Sequence, residues 1–417
     1  MDKALPKGWA GVKMGELYYF IGGGTPSKSN SGYWNGDIPW ASIKDISKNE
    51  ILKETQDFIS VEGLERSSAN VAEIGEVIIG TRMLPGKAVV TSIKTAINQD
   101  LKIVRPKAKV LTMFTYYQFR FLRNVFEQLS FGTTVKGVTI EKLQGVDLLL
   151  PPLPEQERIV VKLDKLFAQH EKIKKALDRI PQLLKAFRQQ VLTQAVTGKL
   201  TEQWREGREL EEWKEENLGN ICNLKAGNFI PASEIKHEKA EGLFPCYGGN
   251  GLRGYVKSFT HVGRYSLIGR QGALCGNVHL VEGQFHATEH ALVAKAHLSI
   301  DEIWLFHKLT SLKLNNYSKG VAQPGLSVMN LNSILIEVPP LEEQQEIVRR
   351  IESLFAKVDA IEASYHELKQ KVDKLPQAIL HKAFKGELVP QLPTDGDAKD
   401  LLDEILALKK EVKGKKR

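Results

Sequence analysis

Apolar side chains recur at alternating steps of three and four residues in two separate segments of the chain. This spacing predicts two helices, each with an apolar seam that another helix must cover. In the first segment, about residues 154–198, the seam positions are Leu163, Leu166, His170, Ile173, Leu177, Ile180, Leu184, Phe187 and Val191. In the second, about residues 342–386, they are Ile351, Leu354, Val358, Ile361, Tyr365, Leu368, Val372, Leu375 and Ile379, each 188 residues after its counterpart.

The two helical segments also begin alike. Pro151–Val160 (PPLPEQERIV) returns as Pro339–Val348 (PPLEEQQEIV), and the shift of 188 persists without a gap to Gly198-Lys199-Leu200 and Gly386-Glu387-Leu388. Two equal helical segments are therefore expected. A chain duplicated in this way has an approximate internal two-fold, which suits the binding of an object with two ends or two halves.

The remaining blocks consist of short β-type runs separated by Gly, Pro, Asn and Ser, which is typical of α+β domains. In residues 1–150 the β-type runs are Glu76–Ile79, Lys87–Val90, Leu101–Val104 and Gly145–Leu150, with one helical stretch at Thr115–Gln128. The block at 205–338 resembles the first: Gly132–Val135 matches Gly320–Gln323, and Gly80-Thr81-Arg82 roughly matches Ile268-Gly269-Arg270, both at a shift of 188. We therefore predict that the two blocks are copies of one fold whose interiors have diverged.

Length favours helix pairing within the chain. A helix of about 43 residues runs about 65 Å at 1.5 Å per residue, and the globular block between the helices lets the chain return in the opposite direction. We therefore predict an intramolecular antiparallel coiled coil with a globular domain near each end; the alternative is a homodimerising coiled coil. Kinks are predicted at Pro181 and Pro376, because an interior proline removes a hydrogen bond and bends a helix.

Composition adds little that is specific. The net charge of +8 over 417 residues leaves room for a polyanionic partner, although a merely basic surface is the alternative. No apolar run approaches the about 20 residues of a membrane span, and the N-terminus lacks an apolar leader, so a cytoplasmic location is expected. The spacing of Cys222, Cys246 and Cys275 matches neither a zinc knuckle nor a disulfide framework, and reduced thiols are expected.

These features together resemble a known family. A helix that opens with Pro-Pro-Leu-x-Glu-Gln-x-x-Ile-Val, continues with Leu-Phe-Ala and closes with Gly-[Lys/Glu]-Leu occurs twice, alternating with two domains that begin near Trp9 and Trp213. The chain thereby resembles, over nearly its whole length, the DNA-specificity subunit of type I restriction-modification systems. Segments of the kind carried by its target-recognition domains are Gly23–Ser27, Tyr33-Trp34, Ile38–Trp40, Pro245–Gly251 and Ile268–Ala273.

The resemblance implies an α+β, pseudo-two-fold fold in which two α/β target-recognition domains alternate with two long helices. The expected segments are domain 1 (1–150), helical spacer 1 (151–204), domain 2 (205–338), helical spacer 2 (339–390) and a C-terminal tail (391–417). It also implies a non-catalytic subunit that binds a bipartite, asymmetric sequence in double-stranded DNA. Its expected partners are two methyltransferase subunits and nuclease-translocase subunits, which would hold S-adenosylmethionine, ATP and Mg²⁺. A competing hypothesis is a coiled-coil adaptor that bridges two protein partners.

Two catalytic patterns are unsupported by their surroundings. Gly249–Gly254 satisfies G-x-G-x-x-G, but the residues after it indicate extended chain rather than a phosphate-binding helix. His286–His290 has the spacing H-x-x-E-H, which needs a helix to place both imidazoles on one face, whereas its neighbours indicate a strand. No catalytic or metal site is expected.

Base edges are recognised by Arg, Lys, Asn, Gln, Ser and Thr, and phosphates by Lys and Arg. Such residues on predicted loops give candidate DNA contacts, although a single loop lysine is often only solvated. In the first domain they are Lys28, Ser29, Ser42, Lys44, Arg82, Lys87 and Lys136, and in the second Lys225, Tyr247, Asn250, Arg253, Arg270, Gln271, Lys319 and Gln323. Arg82, Arg253 and Arg270 are favoured, because neighbouring glycines allow close backbone approach.

A few residues are expected to be structural. Trp9, Trp40 and Trp213 are assigned to the core rather than to base stacking, and His170 to helix packing. Leucines and an isoleucine between residues 401 and 408 predict a short amphipathic helix that docks on the body of the protein or on a partner.

Overall fold

A computed structural model describes residues 5–132, 136–272, 274–318 and 325–404. The chain forms two compact units: unit 1 contains residues 1–176 and 368–417, and unit 2 contains residues 177–367. Each unit combines one of the predicted globular domains with a part of each predicted helical segment. In the described residues no helix has the length and apolar character that a membrane span requires.

The globular part of unit 1 is an α+β domain that includes the predicted β-type runs and the predicted helix. Its elements are β1 (Ala10–Lys13), α1 (Met14–Leu17), β2 (Tyr18–Gly22), β3 (Ile38–Ala41), α2 (Ile43–Ile46), β4 (Ile51–Leu52), β5 (Asp57–Ile59), α3 (Val61–Glu65), β6 (Asn70–Ala72), β7 (Val77–Gly80), β8 (Ala88–Thr91), β9 (Thr95–Ile97), β10 (Leu101–Pro106), α4 (Thr112–Leu129), α5 (Ile140–Gln144) and β11 (Asp147–Leu150).

Two sheets and one helix make the core of this domain. The strand orders are β2-β10-β7-β8-β4 and β5-β3-β9-β6, and β1 pairs with β11 separately. Helix α4 places Phe119, Leu122 and Phe126 in the core because these residues recur at steps of three and four. The Tyr18 hydroxyl donates to Gln118 Oε1 at 2.9 Å, which satisfies the polar end of a fully buried ring.

The first helical segment is divided at the proline that the sequence singled out. Helix α6 (Leu153–Leu177) ends just before α7 (Ile180–Val196), and Pro181 lies at the start of α7. Proline is tolerated in a first helical turn because its missing N–H has no partner there. The first segment is therefore two consecutive helices, and it spans nearly the same length as the second segment, so the expectation of two equal helical segments is confirmed.

Unit 2 repeats the same plan with a larger sheet. Its globular elements are α8 (Glu202–Arg205), β12 (Lys214–Asn217), α9 (Leu218–Ile221), β13 (Cys222–Ala226), β14 (Phe244–Gly248), β15 (Gly251–Val256), β16 (His261–Gly269), β17 (Val278–Ala287), β18 (Ala291–Ala296), α10 (Glu302–Ser311), α11 (Val328–Asn332) and β19 (Leu335–Val338). The sheet order is β13-β18-β16-β17-β14-β15, and β12 pairs with β19 as β1 does with β11.

The second helical segment is one helix, α12 (Leu341–Ala383), which continues through Pro376 without a break. A kink at that proline stays a prediction.

Within each unit the two helical segments run in opposite directions. In unit 1, Arg158 contacts Pro390 and Asp395, whereas His170, farther along α6, contacts the Val372 carbonyl at 3.0 Å. In unit 2, Arg188 of α7 bonds Asp359, and the later Leu200 carbonyl accepts from Arg350 at 2.7 Å. The antiparallel, intramolecular pairing predicted from the heptads is confirmed, and His170 is a packing residue.

The repeated Glu-Gln pair attaches each helix to its globular domain. Trp9 Nε1 donates to Glu155 Oε2, and Trp213 Nε1 donates to Glu343 Oε2, both at 2.9 Å. Both glutamates lie in the first turn of a helix, where the dipole favours a negative charge. Trp9 is buried and Trp213 partly buried, so their assignment to the structure is confirmed.

The glutamine after each of these glutamates attaches the long helix to a second helix, within the globular domain. Gln156 Oε1 accepts from the N–H of Leu111, which caps α4, and Gln344 Oε1 accepts from the N–H of Asp301, which caps α10. Each glutamine also donates to the first Pro-Pro carbonyl of its motif, at 3.0 and 2.8 Å. One buried amide thereby fixes two helix N-termini in each unit.

The two copies differ at one buried oxygen. In unit 2, Glu343 Oε1 accepts from the Thr201 hydroxyl at 2.7 Å. The residue 188 positions after Thr201 is Val389, which has no hydroxyl, and Glu155 Oε1 is buried with no hydrogen-bond partner among the described residues. Burial accordingly raises the pKa of Glu155.

The tail packs on the body of the protein. Ala398 N donates to the Gly8 carbonyl at 2.9 Å, and Leu401 and Leu402 pack against the core of unit 1. Of the two alternatives for the tail, docking on the body is therefore observed for the residues up to 404; residues 405–417 lie outside the described part.

Val389→Thr should stabilise the protein by about 1–2 kcal/mol at neutral pH, because it would supply the hydrogen bond that Glu155 Oε1 lacks. The raised pKa means that the wild type loses stability as pH rises through that value, so the gain should shrink on acidification. Denaturant unfolding at several pH values measures both effects. Val161→Thr, at an exposed valine of α6, is the matched control; an equal gain there would contradict the assignment.

Candidate nucleic-acid interface

Three turns meet at one end of the five-stranded sheet in unit 1. They are Gly23–Thr25 after β2, Thr81–Met83 after β7 and Asn98–Asp100 after β9, and we call them loop cluster 1. The Gly24 N–H donates to the Ile97 carbonyl at 3.0 Å, and the Thr81 N–H donates to the Asp100 carbonyl at 2.8 Å. Gly23 is required for this approach, since a Cβ there would lie 2.2 Å from the Ile97 oxygen.

Unit 2 builds the same framework from different residues. Its turns are Gly227-Asn228 after β13, Arg270–Gly272 after β16 and Thr288–His290 after β17, which we call loop cluster 2. The Asn228 N–H donates to the Ala287 carbonyl at 2.8 Å, and the Arg270 N–H donates to the His290 carbonyl at 3.0 Å. A Cβ on Gly227 would lie 2.3 Å from the Ala287 oxygen, so this glycine is required for the same reason.

The equivalent hydrogen bonds fix the alignment of the two clusters. The Thr81 carbonyl accepts from Val138 N and the Arg270 carbonyl from Leu326 N, each at 2.9 Å. The next residue in each turn forms an isolated antiparallel β-bridge: Arg82 pairs with Gly137, and Gln271 pairs with Gly325. Thr81 is therefore equivalent to Arg270 and Arg82 to Gln271, so the rough match of Arg82 with Arg270 was wrong by one residue.

A cleft of about 870 Å³ opens beside loop cluster 1. Three of the predicted contact residues, Lys28, Ser42 and Lys44, line it together with Asn98, Gln99 and Asp100. The Ser42 hydroxyl accepts from the Lys44 N–H at 3.3 Å as the cap of α2, which holds both side chains at the cleft wall.

Trp34 and Trp40 form the apolar side of this cleft, with ring centroids 5.0 Å apart and nearly perpendicular planes. Trp40 is buried and donates through Nε1 to the Gly24 carbonyl at 3.0 Å. Its assignment to the core is confirmed, and its hydrogen bond also holds the first turn of loop cluster 1.

The remaining candidates of unit 1 divide between the cluster and another surface. Ser29 bonds Ser27 at 2.8 Å near Lys28, Arg82 pairs with Asp100 at 3.4 Å, and the Lys136 carbonyl accepts from the Met83 N–H. Lys87 instead follows the turn and lies near Arg120 and Arg123 of α4, half-buried, and burial lowers its pKa. The structure therefore does not bring Lys87 into the cluster.

In unit 2 the turn between β14 and β15 joins loop cluster 2. The Tyr247 carbonyl accepts from Thr288 N at 2.8 Å, and a Cβ on Gly249 would meet the His290 oxygen at 2.7 Å. This places exposed Asn250 and Arg253 next to the cluster.

Three other candidates of unit 2 are described. The Tyr247 ring packs on Phe285, and burial raises its pKa. Lys225 is exposed on β13 two residues before Gly227, and Gln271 is exposed beside Arg270. Lys319 and Gln323 lie outside the described residues.

Sequence reasoning missed the third turn of each cluster. Thr288 Oγ1 and Glu289 Oε2 are buried with no hydrogen-bond partner among the described residues, and the other Glu289 oxygen lies 3.1 Å from His290 Nε2. The equivalent Gln99 accepts from the Thr25 hydroxyl. The sequence signals these turns only by the end of a β-type run at Ile97 and at Ala287. These two positions are 190 residues apart, rather than the 188 of the helical repeat.

The two catalytic patterns have the local structures that their neighbours indicated. The last four residues of Gly249–Gly254 belong to strand β15, and His286 lies at the end of strand β17 with Thr288–His290 in a turn. His286 Nε2 lies 3.2 Å from the Asn228 carbonyl, which is a role in the framework of loop cluster 2.

Comparison with known proteins gives consistent matches. The family described as "Type I restriction modification DNA specificity domain" matches residues 6–182 and 210–370. The EcoprrI specificity subunit of Escherichia coli, a type I restriction enzyme component, is 33% identical over 80% of this chain and 84% of its own length. The EcoKI specificity subunit of Escherichia coli K12 is 28% identical over 99% and 98%.

Solved structures share the fold. The HsdS subunit from Thermoanaerobacter tengcongensis gives a TM-score of 0.65 at 19% identity, covering 93% of this chain and 99% of that one. A chain from a type I R-M system, studied for complex assembly and conformational transition, gives 0.70 at 22% identity, covering 92% and 100%. The predicted fold class is thereby confirmed.

Gly23→Ala and Gly227→Ala should each destabilise the protein by about 1–3 kcal/mol, because the added methyl group would force the turns of a cluster apart. Thermal or denaturant unfolding measures the loss. Gly11→Ala is the matched control, since a Cβ on this strand residue meets nothing within 4 Å. Similar stabilities for all three variants would show that the turns are not tightly coupled.

Proposed function

Because this chain belongs to the family of type I restriction-modification DNA specificity domains, we propose that its two loop clusters each recognise one half of a bipartite DNA target. The chain is a specificity subunit: it selects the DNA sequence, and the chemistry on DNA belongs to other subunits of the complex. One observation carries the proposal of two half-sites. The same three-turn framework occurs in both units and presents different side chains.

The polar side chains of the two clusters suit different bases. Loop cluster 2 offers the Arg270 guanidinium, which has no ion pair among the described residues and could donate two hydrogen bonds to guanine. Loop cluster 1 offers the amide of Gln99, which suits adenine. Because the two loop clusters have the same backbone framework but different side chains, the two halves of the target are expected to differ.

Positive side chains surround both clusters and would anchor the DNA backbone. Lys28, Lys44 and Lys136 lie around loop cluster 1, and Lys225 and Arg253 lie around loop cluster 2. Such residues position the protein on phosphates without reporting sequence. The net charge of +8 is consistent with this role.

The competing hypothesis, a coiled-coil adaptor that bridges two protein partners, is not favoured. Full-length relatives are named specificity subunits of restriction enzymes.

Membership of the family implies methyltransferase partners, and we propose two per chain. Apolar seam residues that stay exposed on α6, α7 and α12, namely Ile173, Phe187, Ile361, Leu368 and Leu375, support docking along the helices. Nuclease-translocase subunits are proposed to join the same complex in the cytoplasm. S-adenosylmethionine, ATP and Mg²⁺ are proposed to bind to these partners rather than to this chain.

Genome-wide mapping of modified bases, in cells with and without this chain, tests the proposed function. The motif lost on deletion should be bipartite and non-palindromic, with two unlike halves separated by about half to one turn of DNA. A continuous palindrome, or an unchanged modification pattern, would contradict the proposal.

Base recognition and phosphate anchoring can be separated within unit 2. Arg270→Ala should cost about 1–3 kcal/mol of binding and relax preference at one base pair of one half-site. Lys225→Ala should weaken binding to all sequences alike and lower the salt slope by about one.

Titrations at several salt concentrations, on DNA varied in one half-site at a time, measure both effects with the assembled complex. If Arg270→Ala leaves base preference unchanged in both half-sites, this turn is not a recognition element, although the bipartite scheme could stand.

A further inference from the structure

Met83 has a backbone conformation that side chains rarely adopt. Its φ is +64°, and among the described residues only Lys313 is a second non-glycine residue with positive φ. In this left-handed region the Cβ crowds the following carbonyl, so a methionine is less stable here than a glycine.

The other copy of the turn shows what the framework alone requires. Met83 is equivalent to Gly272, which follows Gln271 as Met83 follows Arg82, and Gly272 has a φ of +84°. The left-handed conformation is thus a property of the turn, and glycine satisfies it without strain. The methionine side chain in unit 1 is not explained by the needs of the turn.

The surroundings of Met83 do not bury its side chain. The residue is 56% exposed and lines the cleft together with Lys44 and Asp100. Its N–H donates to the Lys136 carbonyl at 2.8 Å, and Leu84 N donates to the Arg82 carbonyl at 2.7 Å, which fixes the direction of the side chain. An apolar group is therefore held in a strained conformation, exposed to water, in a cleft whose lining is mostly polar.

We propose that Met83 is a specificity-determining residue that packs its thioether against the C5-methyl group of a thymine. The inference rests on the proposed function and assigns the apolar part of the half-site recognised by unit 1. Polar and charged neighbours suit the polar edges of bases and the phosphates. In the major groove the thymine methyl is the apolar group that distinguishes one base pair from the others.

The test uses the full chain in its complex and the DNA target found by mapping. Each thymine of the half-site of unit 1 is replaced singly by deoxyuridine, which removes only the methyl group. One replacement should weaken binding of the wild type about fourfold, the effect of one buried methyl group. Met83→Gly should bind the unmodified target at least fourfold more weakly and lose its sensitivity to that replacement, without loss of thermal stability.

Two further variants complete the design. Met83→Leu should keep the sensitivity to deoxyuridine because it keeps an apolar side chain. Ile74→Gly, at a 70% exposed apolar residue before β7 and so at the opposite end of that strand, should leave DNA binding unchanged.

The inference is overturned if no single replacement affects the wild type, or if Met83→Gly responds to deoxyuridine as the wild type does. Failure of the wild type to bind any bipartite target would instead overturn the proposed function, so the two failures are distinguishable.

Discussion

The attachment of each globular domain to a long helix depends on one buried carboxylate and one buried amide in the first turn of that helix. Glu155 and Glu343 accept from tryptophans, and Gln156 and Gln344 accept from backbone N–H groups that begin a second helix. Each group is buried, so an unmade bond would cost its full desolvation. The helix cannot slide or rotate against the domain without breaking several such bonds together.

This constraint explains which parts of the sequence repeat closely and which do not. The Glu-Gln pairs that fix each helix to its domain reappear 188 positions later, whereas Trp9 and the contact glycine Gly23 reappear 204 positions later, as Trp213 and Gly227. The side chains on the turns differ: Thr81, whose buried hydroxyl donates to the Asp100 carbonyl, stands where unit 2 has Arg270, and Gln99 stands where it has Glu289. A constant framework with variable turns allows the recognised sequence to change while the fold is kept.

Much of the fold could be predicted from the sequence, because heptads and a repeated motif are periodic signals that one chain shows by itself. The candidate site was less accessible. Lys28, Ser42 and Lys44 were found from residue type and loop position, whereas Lys87 satisfied the same criteria and lies beside α4. The Asn98–Asp100 and Thr288–His290 turns carry no periodicity or motif. They are brought to the sites by long-range strand pairing, and the one-residue offset between Thr81 and Arg270 shows how easily a shift read from the helices misaligns the loops.

The division of the chain into units also fixes the order in which they are completed during synthesis. Unit 2 is a continuous stretch, residues 177–367, and has all its parts once that stretch has left the ribosome. Unit 1 begins earlier, yet its core is incomplete until Leu380, Ala383 and Phe384 have been made, and Arg158 has no ion-pair partner until Asp395 has been made. The domain that is made first is therefore completed last, and part of its core is exposed to solvent while about 200 further residues are translated.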